Sequence, residues 1–66
     1  MTTCTIEHWR DGDRIEVWPV TRDMIQKDDG MARIVFPAGQ ITLASFDELH
    51  FCISDGLDVL SEVQRR

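Results

Sequence analysis

The chain lacks the common catalytic and cofactor motifs. It contains no Gly-rich phosphate-binding loop, no G-x-S-x-G and no H-E-x-x-H. It is also short: a pocket that encloses a small molecule needs about 300 Å³ walled by several elements, and 66 residues supply few of them. We therefore expect no enzyme and no cofactor, and a protein that acts through its surface.

Long apolar runs are missing as well. The longest run is only a few residues, whereas a membrane-spanning helix needs about 18. The opening residues MTTCTIEHWRD lack the basic and apolar segments of a signal peptide. We expect no membrane partner and a cytoplasmic location.

Cysteine is scarce, since Cys4 and Cys52 are the two in the chain, too few for a disulfide framework. In a reducing compartment we expect buried, free thiols, and a Cys4–Cys52 bridge is the less favoured alternative. Together with His8 and His50 they have the residue types of a zinc site. Their spacing is unsuitable, because Cys4 and His8 lie about 13 Å apart on a strand and His50 and Cys52 diverge on a helix. No metal is expected.

Positive charge is absent from a long segment. Residues 34–64 hold five acids and no base, and the whole chain carries a net charge of −5. Direct binding to a phosphate backbone needs the opposite sign, so we expect no direct nucleic-acid contact. Acidic surface suits either a basic protein partner or simple solubility.

Residues 4–19 are typical of a β-hairpin. The stretches CTIEHW and RIEVWP flank Asp11-Gly12, a dipeptide that favours the type I′ turn because both central residues need positive φ. This register pairs Trp9 with Arg14 and Trp18 with Thr5. The predicted core face carries Ile6, His8, Ile15 and Val17. The predicted outer face carries Glu7, Trp9, Arg14, Glu16 and Trp18.

A second hairpin is predicted over residues 31–44. An Ala38-Gly39 loop would pair Phe36 with Ile41 and Ile34 with Leu43 on one apolar face. The connection at 20–30 has two interpretations: Thr21 caps a helical turn, or an edge strand leads into a turn at 28–30. Periodicity does not decide between them.

Helical periodicity begins after Ser45. Ser45 with Glu48 forms a capping-box signature, and one apolar face continues over residues 46–65. Gly56 costs about 1 kcal/mol inside a helix, so a break at 54–56 is the alternative to the continuous helix that we favour. The predicted fold is α+β, one domain of residues 1–66 with an antiparallel sheet of about four strands and the amphipathic helix 46–65 on one face. The helix stripe facing the sheet would be Phe46, Leu49, Ile53, Leu57, Leu60 and Val63.

The first candidate site is an acidic helix face. On a continuous helix Phe51 points away from the apolar stripe and lies among carboxylates, as an aromatic anchor with a polar rim would. The alternative is that a helix break buries Phe51 in the core. The predicted partner-binding residues are Asp47, Glu48, Phe51, Asp55, Asp58 and Glu62.

The second candidate site is the sheet face that carries Trp9 and Trp18 beside Arg14. One helix covers only one face of a sheet, so these tryptophans are either exposed as a partner or oligomer surface or covered by residues 21–30. The two outcomes are equally compatible with the sequence.

Two functions follow from these surfaces. The leading hypothesis is a non-catalytic inhibitor or adaptor that engages a basic protein surface of the kind that otherwise holds nucleic acid. Small acidic proteins of phages and other mobile elements act in this way, anti-CRISPR proteins among them, and the chain is similar to these in size and charge alone. The alternative is a structural protein that self-associates, for instance as a homodimer, through the tryptophan face or a sheet edge.

Overall fold

Eight antiparallel strands and one short helix form residues 3–66, the part of the chain that this computed structural model describes. The mixed α and β class with a C-terminal helix is confirmed, while the prediction of about four strands is wrong. The elements are β1 (Thr3–Arg10), β2 (Asp13–Thr21), β3 (Ile25–Asp28), β4 (Met31–Val35), β5 (Ile41–Ala44), β6 (Leu49–His50), β7 (Ile53–Ser54), β8 (Leu57–Asp58) and α1 (Val59–Gln64). They form three sheets with strand orders β2-β1-β6, β3-β4-β5 and β7-β8.

Three Asp-Gly turns set most of this topology. Asp11-Gly12 joins β1 to β2 as predicted, and the same dipeptide joins β3 to β4 at Asp29-Gly30 and β7 to β8 at Asp55-Gly56. All six residues have positive φ, which is the backbone that a type I′ hairpin requires. Glycine tolerates this conformation without cost, and aspartate tolerates it better than most residues.

The first hairpin contains a bulge that the sequence did not reveal. Trp9 pairs with Arg14 as predicted, but the next pair is His8 with Glu16, so Ile15 is an extra residue on β2. A bulge of this kind shifts every later pair by one position, and in a sheet a shift of one moves side chains to the opposite face.

The bulge reverses the predicted faces of β2. Trp18 lies opposite Ile6 on the inner face instead of opposite Thr5, so Trp9 and Trp18 are on opposite faces of the sheet. Ile6 is fully buried, whereas Ile15 and Val17 are exposed. The prediction that Ile15 and Val17 belong to the core is therefore wrong.

The second hairpin is also shifted by one residue. Phe36 donates its backbone N–H to Gln40 and Gly39 donates to Phe36, so the loop is longer than Ala38-Gly39. Gly39 has φ 95°, and this left-handed residue after a tight turn is the pattern of a bulged hairpin loop. Ile41 consequently pairs with Val35, and Leu43 with Arg33. The predicted pairs Phe36–Ile41 and Ile34–Leu43 are wrong, and both Ile41 and Leu43 are exposed.

Residues 20–30 satisfy both interpretations in succession. β2 continues to Thr21, a 3₁₀ turn occupies Arg22–Met24, and β3 then leads into the Asp29-Gly30 turn. Thr21 donates its backbone N–H to Met24 Sδ at 3.3 Å. Helical turn and edge strand therefore follow one another in this connection.

The prediction of a continuous helix over residues 46–65 is wrong. Ser45 does start a helical turn, since its hydroxyl accepts the N–H of Asp47, but the turn is 3₁₀ and ends at Glu48. The Asp55-Gly56 turn then reverses the chain, and the α-helix begins only after Asp58. Ile53 and Leu57, predicted to face the sheet, are exposed, while the other members of the predicted stripe are buried.

The core lies between the inner faces of the two three-stranded sheets and α1. The helix buries Val59, Leu60 and Val63 and packs against β3. The largest fully buried side chains are Ile6, Ile25, Ile34, Val20, Val59, Val63 and Cys52.

A disulfide links Cys4 on β1 to Cys52, with Cα atoms 5.3 Å apart and both residues buried. The prediction of free thiols, which rested on the low number of cysteines and a reducing compartment, is wrong because the fold brings Cys52 beside Cys4. In extended chain after β6, Cys52 faces the core at the level of β1, whereas a helix would have carried it elsewhere. No described helix, within residues 3–66, has the length and apolar character to cross a bilayer.

Candidate protein-binding site

Three aromatic side chains meet on the outer face of the β2-β1-β6 sheet. β1 contributes Trp9, β6 contributes His50, and Phe51 follows β6. Glu7 pairs with His50, which places His50 on the same face as Glu7 and Trp9. The His50 ring lies 6.0 Å from Trp9 in an edge-to-face arrangement and 5.7 Å from Phe51. We call Trp9, His50 and Phe51 the aromatic patch.

The aromatic patch lines an open groove of about 230 Å³. This volume is below the range of about 300–1,000 Å³ in which pockets enclose a small molecule. It suits one inserted side chain of a partner protein, and aromatic residues are enriched in such contacts.

Phe51 is the unusual member of the patch. It is 67% exposed and has φ 72°, a conformation that costs about 1–2 kcal/mol for a residue with a Cβ. Its carbonyl accepts the N–H of Ile53 at 2.9 Å. Because of this kink both His50 and Phe51 point outward, and Cys52 then points inward to its disulfide.

Trp9 is held in place by a short polar chain. Its indole Nε1 donates to Glu7 Oε1 at 2.9 Å, and Arg14 Nη1 lies 3.6 Å from Glu7 Oε2. Arg14 is also the cross-strand neighbour of Trp9. The predicted association of Trp9 with Arg14 is therefore present, and Glu7 is the residue that joins them.

Trp18 does not belong to this site. It is half-buried, and its ring packs against His8 at 5.5 Å and Phe36 at 5.7 Å. Its Nε1 donates to Glu16 Oε2 at 3.1 Å. The predicted Trp9/Trp18 face does not form, because the Ile15 bulge moves Trp18 to the inner side.

The predicted acidic helix face does not exist as one surface. Phe51 is exposed, in agreement with the first alternative, but the helix that was to expose it is absent. Asp47 lies in a 3₁₀ turn and Asp55 in a hairpin turn. Asp58 caps α1, accepting from the N–H and the hydroxyl of Ser61.

Two of the predicted carboxylates are engaged by bases of the chain itself. Glu48 lies 3.5 Å from both Arg10 and His8. Glu62 lies 3.4 Å from Arg22 and 3.2 Å from Arg66. Neither glutamate is available for a partner without breaking these pairs.

The negative charge is concentrated instead at turns and strand ends. Within residues 3–66, five of the seven bases are committed: four arginines to the ion pairs above, and Lys27 to the carbonyls of Gln64 and Arg66. Nine acids are exposed and form no ion pair in this part of the chain. They are Asp11, Asp13, Glu16, Asp23, Asp28, Asp29, Asp47, Asp55 and Asp58.

The residues weighed for zinc binding are separated by the fold. His8 faces the core, His50 lies on the outer face, and the two cysteines are bonded to each other. Within residues 3–66 no group of three His, Cys, Asp or Glu is placed to hold a metal ion. His8 is 4% exposed, and its Nδ1 has no hydrogen-bond partner in the described structure.

His50 is the site residue that sequence reasoning missed. The sequence suggests a zinc role alone for His50, because a continuous helix places it away from β1. The Asp55-Gly56 dipeptide carried the signal that ends this helix, since the identical dipeptide at 11–12 correctly predicted a hairpin.

Comparison of the chain with protein-family models, curated proteins and solved structures gave no match.

Proposed function

We propose that the protein is a non-catalytic binding module that docks on a basic protein surface through the aromatic patch, and so acts as an inhibitor or adaptor. The observation that carries this proposal is Phe51. A bulky residue in the left-handed conformation is a genuine outlier, and such strain is concentrated at binding and active sites. Burial in the core does not offset it here, because the ring is exposed.

The charge distribution supports a basic partner. Five bases are committed within the described chain, while nine exposed carboxylates are not paired. Lysine and arginine groups of a partner would find these carboxylates around the turns, and their field would accelerate encounter. Protein surfaces that bind nucleic acid are rich in such bases, so we propose a nucleic-acid-binding protein as the partner class.

The decisive variant is Phe51→Gly. Glycine adopts φ 72° freely, so removing the ring also removes the strain, and we expect the free energy of unfolding to change by less than about 1 kcal/mol. Capture of the partner from a lysate of the source organism should be lost. Thermal unfolding and affinity capture at low and high salt measure the two effects separately.

Leu57→Ala is the matched control, because Leu57 is another exposed apolar residue that does not line the groove. It should capture the same proteins as the wild type, and the wild type should capture less at high salt. Identical capture by Phe51→Gly and the wild type would overturn the proposal. With a purified partner, Trp9 fluorescence in a Trp18→Phe background reports directly on occupation of the groove.

We propose a cytoplasmic location separately from the binding function. The Cys4–Cys52 bond opposes it, since disulfides persist mainly in oxidising compartments. Counting the thiols that are alkylated in protein taken rapidly from cells decides between the cytoplasm and an oxidising compartment. Two reactive thiols under denaturing conditions support the cytoplasm, and none supports an oxidising compartment.

A further inference from the structure

The outer face of the β3-β4-β5 sheet carries a second apolar surface, separate from the aromatic patch. Ile41 is 50% exposed and Leu43 is 55% exposed, and Met31 on β4 is exposed beside them. The one-residue shift of the hairpin turns Ile41 and Leu43 outward. This surface does not depend on the proposed function.

β5 lies at the edge of its sheet, and β4 is its one neighbouring strand in the described chain. The free edges of β2 and β3, the two other long edge regions of the three-stranded sheets, are protected. β2 carries a bulge, Pro19 and three charged residues, and β3 carries Lys27 and Asp28 and is packed by α1. These are the usual devices against edge-to-edge pairing. β5, with the sequence ITLA, has none of them.

The charge pattern identifies the occupant of this edge. Residues 34–46 contain no charged side chain, in a chain of net charge −5. Two copies of the chain repel each other through their acidic turns, but they can approach through this neutral strand, where the charge nearest in the sheet is that of Arg33, opposite Leu43 on β4. A basic partner would gain nothing at β5 and would bind elsewhere.

We infer that two copies of the chain pair antiparallel through β5 and extend the sheet to six strands across a two-fold axis. Such an interface is isologous, so each copy offers the same strand. The apolar pattern sets the register: Ile41 faces the partner's Leu43, and Thr42 faces the partner's Thr42, which keeps both apolar pairs on one face.

The strand is short, so the interface belongs to the small class and the association is weak. Sedimentation equilibrium from about 10 µM to 1 mM should show the mass of the 7.6 kDa chain rising towards twice that value. Leu43→Lys places a charge on the pairing strand and should weaken dimerisation at least tenfold.

Leu57→Lys is the matched control, because it makes the same substitution at an equally exposed leucine on β8. It should dimerise as the wild type does. A wild-type protein that remains monomeric to 1 mM, or a folded Leu43→Lys variant that dimerises normally, would overturn the inference.

A wild-type readout avoids any dependence on folding of the variants. The backbone amide signals of residues 41–44 should shift with dilution in two-dimensional NMR spectra, while those of Trp9 and Phe51 stay constant. Shifts confined to the aromatic patch would contradict β5 pairing. Because the two surfaces are distinct, loss of partner binding in Phe51→Gly leaves this test unaffected.

Discussion

At the scale of single residues, Phe51 and Cys52 show how one backbone angle divides neighbouring side chains between surface and core. The positive φ of Phe51 turns its ring outward and sends Cys52 towards Cys4. Residue-type preferences do not predict this, because the left-handed region favours Gly, Asn and Asp. The sequence left two outcomes open for Phe51: exposure on a continuous helix, or burial after a helix break. The structure combines the break with exposure.

The disulfide gives the first stability prediction. Joining residues 48 apart in sequence restricts the unfolded chain by about 4 kcal/mol in the chain-entropy model, and removal of native disulfides from small domains costs about 2–5 kcal/mol. We expect the Cys4→Ala, Cys52→Ala double variant to lose about 2–4 kcal/mol of unfolding free energy in urea titrations.

Treatment of the wild-type protein with a reductant should reproduce this loss, and the double variant should not respond to the reductant. Equal stability of the oxidised and reduced wild type would show that the bond contributes nothing to the fold.

At the scale of elements, the β1–β2 and β4–β5 hairpins could be predicted from the sequence, but the pairing register of their strands could not. Asp11-Gly12 and the 37–39 loop predict the turns. Each hairpin contains one residue more than its predicted register allows, at Ile15 and Gly39. A bulge leaves no clear trace in an alternating sequence pattern. Because successive side chains of a strand point to opposite faces, one extra residue moves every later side chain to the other face of the sheet. Two single-residue shifts therefore exposed four residues that the pattern placed in the core: Ile15, Val17, Ile41 and Leu43.

The short helix α1 depends on its cap. Asp58 accepts the N–H of Ser61 at 3.3 Å and its hydroxyl at 2.9 Å. Replacement of an N-cap aspartate by alanine costs about 0.5–2 kcal/mol, and α1 covers the core with Val59, Leu60 and Val63. We expect Asp58→Ala to lower the unfolding free energy by about 1 kcal/mol, measured by urea denaturation.

Asp47→Ala removes the same charge from an exposed residue whose side chain caps no helix, and it should change stability by less than about 0.5 kcal/mol. If the two variants lost equal stability, the effect would be one of net charge and not of capping.

At the scale of the whole molecule, the exposed carboxylates repel one another. Raising the salt from about 10 mM to about 150 mM shortens the Debye length from about 30 Å to about 8 Å. Screening also weakens the ion pairs, but exposed pairs contribute little to stability. We expect the melting temperature to rise by several degrees, since about 1 kcal/mol corresponds to about 4–8 °C in a domain of this size.

Asp28→Asn, which removes an unpaired carboxylate, should raise the melting temperature at low salt and reduce its response to salt. Glu48→Gln removes a carboxylate that is paired with Arg10 and His8. It should neither raise the melting temperature at low salt nor reduce the response to salt. A melting temperature that falls as salt is added would mean that the ion pairs outweigh the repulsion.

The pairing of β1 with β6 also has a consequence for synthesis of the protein. β1 lies at the centre of its sheet, but β6 and Cys52 are translated more than forty residues later. At about 5–20 residues per second, β6 and Cys52 are synthesised about 1.5 to 6 seconds after the β1–β2 hairpin is complete at Thr21. During that interval one edge of β1 and the apolar side chain of Ile6 lack their native cover. Chaperones that bind nascent chains would meet this protein as an open hairpin.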